Sequence, residues 1–145
     1  MRGNLSAYLA EPSITGCQTK MLVGRGCMAS QPPTVDEVAR AVAFATKHAA
    51  FVGLADPNRY RSSVCLWHAR FGGKPAPSED LASQLAAQGR PHDVGAAGQF
   101  VDRSDQALYA AVVHRFEAEV EAHASDVALC VASLIEVEAG AKKRY

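Results

Sequence analysis

At 145 residues, with 15 acidic and 15 basic side chains and no net charge, the chain is long enough for one domain with a hydrophobic core. Zero net charge argues against non-specific nucleic-acid binding as its main task, because phosphate contact usually needs a basic excess. Apolar content of 48% and charged content of 21% are ordinary globular usage. Neither a secretory signal nor a membrane span is read from the sequence: the apolar runs are too short for either.

In chain order, residues 1–33 mix Gly, Pro, Ser and Thr without helical or strand period. They read as a flexible leader ahead of a helical domain at 34–145. Translation can also begin at Met28, which opens MASQPPT behind Gly24-Arg25-Gly26, a tripeptide that a purine-rich, ribosome-binding-like stretch can encode. Cys17 and Cys27 fall in this leader, Cys65 and Cys130 beyond it. None belongs to a C-x-x-C pair, so neither a zinc site nor a redox motif is signalled. Reduced, packed thiols in a cytoplasmic protein are the simplest expectation.

The first helix is predicted over 34–52. Thr34 and Glu37 form a T-x-x-E capping box, each serving the other's backbone amide. Val35, Val38, Val42, Ala45, Ala49 and Val52 recur at spacings of three and four, defining a buried face. Phe44 and Phe51 lie on another side with His48 between them, so the helix is expected to bury two surfaces. Gly53 is read as its stop.

A second helix is predicted over 57–71, with Asp56 as cap and Pro57 in the first turn. Tyr60, Val64, Trp67 and Phe71 form its apolar stripe. Arg59 and Arg70 flank one side of that stripe, Arg61 and His68 the other. Three readings follow: a core stripe whose arginines cover its rim with their stems, a protein interface, or a platform for bases and phosphates. Gly72-Gly73 ends the helix. A short third helix is predicted over 78–88, with Ser78 as cap and Leu81 and Leu85 inward, followed by a Gly-rich loop at 89–99.

The last segment, 104–139, carries the longest periodic signal: Leu108, Val112, Phe116, Val120, Ala124, Val127, Val131 and Leu134 step by three or four. One helix of about 54 Å is expected, with a break near 123–126 as the alternative. Its end, with Leu129, Ile135 and Val137, is apolar around most of its circumference, which predicts cover by other helices or by a second copy of the chain. The fold class is therefore all-α, a small bundle of about four helices with a long C-terminal helix.

No catalytic residue and no cofactor is assigned. Glu119 and His123, at i and i+4, are weak metal candidates with His48 and His92, and no second cluster stands at a matching spacing. An imidazole satisfied at the edge of the core is the simpler reading of His123. Glu117, Glu121 and His114 read as a solvated face. Residues 72–75, Gly-Gly-Lys-Pro, lack the spacing of a phosphate loop.

These readings point to a small soluble, non-enzymatic interaction or regulatory protein of adaptor or inhibitor type. Alanine-rich chains of this size suit bacterial or phage accessory proteins. Its partner surface is predicted at Arg59, Arg61, Trp67, His68 and Arg70, with Phe44 and Phe51 as a second patch. The expected partner is a protein, with a homodimer through the C-terminal helix as a further possibility, and no membrane. A nucleic-acid-binding regulator is the first alternative. Against it stand the zero net charge and the stretch 100–126, with six acidic and two basic residues. A metal-binding bundle or enzyme is the second alternative.

Overall fold

The computed structural model describes residues 11–56, 58–79 and 101–142. Their fold is all-α, as predicted, with five α-helices: α1 Cys17–Leu22, α2 Val35–Ala43, α3 Tyr60–Phe71, α4 Arg103–Ala122 and α5 Ala124–Lys142. A π turn at Phe44–His48 and a 3-10 turn at Pro77–Glu79 complete the elements. Apart from that 3-10 turn, the helix predicted at 78–88 and the loop at 89–99, with His92, lie outside the described residues. The chain divides into two compact units, Met1–Ala50 with Pro91–His114, and Phe51–Arg90 with Arg115–Tyr145. This division does not follow the boundary expected at residue 33.

In the first unit, residues 11–33 are not a loose leader. A six-residue helix is too short to persist alone in water, and α1 is held from outside its own span. A disulfide joins Cys17 to Cys27. Asp105 Oδ1 accepts from the Thr19 amide at 2.9 Å and the Thr19 hydroxyl at 2.8 Å, and its Oδ2 accepts from the Gln18 amide at 3.0 Å. Asp102 accepts from the Gly16 amide and from the Ser104 and Asp105 amides, so one carboxylate serves the start of α1 and the start of α4. Lys20 is 0% exposed, and its ammonium donates to the carbonyls of Pro12, Ser13, Cys27 and Ala29. A buried charge is tolerated only when it is so satisfied. No periodicity announces such contacts, and the sequence therefore read as a leader.

The capping box of α2 forms as predicted: Glu37 N donates to Thr34 Oγ1 at 3.2 Å and Thr34 N to Glu37 Oε2 at 2.8 Å. Arg25 joins the same carboxylate oxygen at 2.8 Å. These donors, the Thr34 amide foremost and then Arg25, outweigh the opposing effect of desolvation and hold Glu37 below the ordinary carboxylate range. The small core of this unit is Ala41, Ala45 and Leu108, packed by Val23, Val42 and Val112. Val35, expected on the buried face, is exposed in the first turn.

The helix also ends sooner than predicted. Ala49 N bonds back five residues to Phe44 O at 2.9 Å, the Thr46 hydroxyl takes the Val42 carbonyl at 2.7 Å, and Ala49 is extended. A π turn of this kind closes the helix at His48. Phe51 and Val52 consequently leave the helix and enter the second unit.

There, Asp56 caps the approach to α3 through the Asn58 and Arg59 amides, both at 3.1 Å. The helix stops at Gly72, whose φ of 86° is left-handed. The side of α3 that packs inward carries Ser63, Cys65 and Leu66. Cys65 is bonded to Cys130 of α5, so neither cysteine is the packed thiol expected from the sequence. Leu54, Leu66, Phe116, Val127 and Leu134 are buried in this unit. Of the stripe read from 104–139, Leu108, Phe116, Val127 and Leu134 are buried, Val112, Val120 and Val131 half-buried and Ala124 exposed. The single long helix is interrupted at His123 alone. His123 N is shared between the Glu119 and Val120 carbonyls at 3.2 Å each, a tightening typical of helix ends. Val127 N returns to His123 O at 3.0 Å, and α5 carries on with the same stripe inward. The new helix starts at Ala124, within the span where a break was the alternative.

Candidate partner surface and aromatic pocket

Residues 51–55 leave the π turn without regular structure and are clipped to α3 by one side chain. Ser63 Oγ accepts from Leu54 N at 2.7 Å and lies 3.0 Å from Leu54 O and 3.1 Å from Arg59 O, the carbonyls to which its proton is directed. Gly53 gives the segment room to turn: a Cβ there would come within 2.9 Å of the Phe51 ring. Phe51 is thereby laid against the outward stripe of α3. Its ring meets Trp67 edge-on, 5.2 Å between centroids at 89°, and Phe71 at 6.1 Å. Trp67 and Phe71 are 4.4 Å apart. Despite these contacts Trp67 remains 46% exposed and Phe71 50% exposed. Of the stripe Tyr60, Val64, Trp67 and Phe71, the last two are exposed and the first two half-buried, while Ser63, Cys65 and Leu66 are the buried residues of α3.

The basic residues beside the stripe are tied down. Arg59 pairs with Glu117 at 2.9 Å and with Asp56 at 3.5 Å. Arg70 pairs with Glu119 while its guanidinium stands 5.4 Å from the Phe71 centroid. Arg61 is half-buried and also engaged. His68 Nε2 contacts Glu79 Oε2 at 3.2 Å, and Nδ1 lies 3.3 Å from the Gly72 carbonyl. Glu117 thus has a partner and is not only a solvated face. Of the second predicted patch, Phe51 joins Trp67 and Phe71, whereas Phe44 lies in the first unit and is exposed there.

A pocket of roughly 400 Å³ opens on this surface, with Leu54, Val64, Phe51, Tyr60, Trp67 and Glu79 on its lining. Glu79 escaped the sequence reading. It lies eleven residues from His68 across Gly72-Gly73 and the prolines, where no helical spacing links the two. Its Oε2 also accepts from the Ala76 amide. That amide, aided to a lesser degree by His68, holds its carboxyl below the ordinary range against the opposing effect of desolvation.

Among the described residues the metal candidates Glu119, His123 and His48 do not form a group that could hold a metal ion. Both oxygens of Glu119 are engaged, Oε1 by Arg115 at 2.7 Å and Oε2 by Arg70. His123 marks the helix interruption, and His48 lies in the π turn of the other unit. Among the described residues no group of three or more His, Cys, Asp or Glu side chains is placed to hold a metal ion. No helix among them is long and apolar enough to cross a membrane. No protein-family model matches the chain, and no curated protein or solved structure matches it either.

Proposed function

We propose that the chain is a small non-enzymatic interaction or regulatory protein, of adaptor or inhibitor type, that recognises a protein through Phe51, Trp67 and Phe71. One observation carries this reading: three aromatic rings pack on one another, yet Trp67 and Phe71 stay about half exposed. Preassembled aromatics lose little freedom on binding, and with arginine they supply much of the energy at interfaces. Arg70 is already positioned beside Phe71 by Glu119.

The same ion pairs weigh against nucleic acid. Arg59 and Arg70 are neutralised by Glu117 and Glu119, so they offer little counterion release to a phosphate backbone. The test compares pull-downs from the native host with wild type and a Trp67→Ala/Phe71→Ala variant. Binding should fall, while the loss of stability stays well under the roughly 3–5 kcal/mol of a buried aromatic. Equal recovery of the partner by the variant overturns the reading.

A second copy of the chain is a further candidate partner. On α5, Leu129 is 73% exposed and Ile135 is exposed as well, which supports homodimer formation through that helix. Light scattering that returns a monomer mass at micromolar concentration rejects it.

The cytoplasmic placement rested on reduced thiols. All four cysteines are paired, and we accordingly place the folded protein in oxidising surroundings. A free-thiol titration of protein from the native host that finds all cysteines reduced restores the cytoplasmic reading.

A further inference from the structure

We propose that the pocket beside α3 is a binding site for an alkylammonium group, a quaternary or methylated amine. Its volume of roughly 400 Å³ falls in the lower part of the range of about 300–1,000 Å³ usual for small-ligand sites. Tyr60 and Trp67 stand seven residues apart on α3, about 10 Å along its axis and on nearly one line. Both line the pocket, as does Val64 between them in sequence. Phe51 rises perpendicular to Trp67 and adds a third ring. Leu54 supplies an apolar wall.

Charge selects the ligand. Among the described residues Glu79 is the one charged side chain on the lining, and His68 Nε2 lies 3.2 Å from its Oε2. Among the described residues, the Ala76 amide and His68 both meet its Oε2. The Ala76 amide keeps the carboxylate ionised. Aromatic faces attract cations through their quadrupole, and most strongly poorly hydrated ones such as quaternary ammonium. A carboxylate beside them reinforces that attraction and repels anions. A purely apolar ligand gains nothing from Glu79 and must desolvate it.

This site goes beyond the protein-partner reading. The two share Phe51 and Trp67 but fail separately, since a small cation is tested with no partner present. Trp67 is the sole tryptophan of the chain, so its fluorescence reports on the pocket directly. The probes are choline, its neutral isostere 3,3-dimethyl-1-butanol, and N-acetyl-trimethyl-lysine amide, titrated at constant ionic strength.

Choline should change the emission saturably and bind about tenfold or more tighter than the isostere. Glu79→Gln should remove most of that difference, weakening choline while the isostere binds no worse. If that variant folds poorly, Tyr60→Leu serves instead and should weaken choline more than the isostere. Tighter binding of the lysine derivative points to a methylated side chain as the natural source, tighter binding of choline to a free small cation, and either ordering supports the site. Equal affinity for choline and the isostere, absence of saturation, or insensitivity of choline binding to these substitutions overturns it.

Discussion

At the scale of single residues, Gly16 and Glu37 hold the first unit to its geometry. Gly16 has φ 66°, and a Cβ there would lie 2.3 Å from Pro33 Cγ. Gly16→Ala therefore combines a left-handed backbone penalty with a clash, a loss of at least about 1–3 kcal/mol measured by urea unfolding. An unchanged midpoint contradicts the geometry. Glu37 and Glu79 have folded pKa values below their unfolded ones. Their stabilisation is present above the unfolded value of about 4.3 and is lost as pH falls through the lower, folded values. Urea midpoints taken from neutral to acid pH should drop in that window, and Glu37→Gln should lower the neutral midpoint and flatten part of the drop. A decline identical to wild type counts against the capping box as its source.

Between elements, the decisive contacts are those that no local pattern announces. Cys65–Cys130 closes a separation of 65 residues and fastens α3 to α5. On the chain-entropy model a loop of that size contributes about 4 kcal/mol. Cys65→Ser/Cys130→Ser should therefore melt well below wild type, and reduction of wild type should reproduce most of the difference. A reductant-insensitive melt refutes the pairing. The outward stripe of α3 follows from the same fastening. Once Cys65 points at α5, the neighbouring Ser63 and Leu66 turn inward, and Trp67 and Phe71 are left to the surface that Phe51 shares.

For the molecule as a whole, residues 11–33 matter more than their composition announces. A chain begun at Met28 lacks α1, the Cys17–Cys27 disulfide, the core residue Val23 and the buried Lys20. It also leaves Asp102 and Asp105 without their amide donors from Gly16, Gln18 and Thr19. Its Tm should lie below that of the full chain by about 10 °C or more. Equal melting of the two forms removes the structural role assigned to this segment.

Local physics determined the all-α class, the Thr34–Glu37 box, the Gly72 stop and the buried residues Leu108, Phe116, Val127 and Leu134. Asp56, by contrast, read as the cap of the second helix, bonds the turn before it, and Arg59 holds the N-cap position of α3. The box and the stripe depend on residues that the helix itself brings together, and the stop on one glycine free to turn left-handed. Only the tertiary structure decided which side of α3 is buried, that the cysteines pair, that Lys20 is enclosed by carbonyls, and that Glu79 meets His68 beside the aromatic rings. These contacts join positions with no periodic relation. The folded chain sets their separations, and helical spacing carries no trace of them.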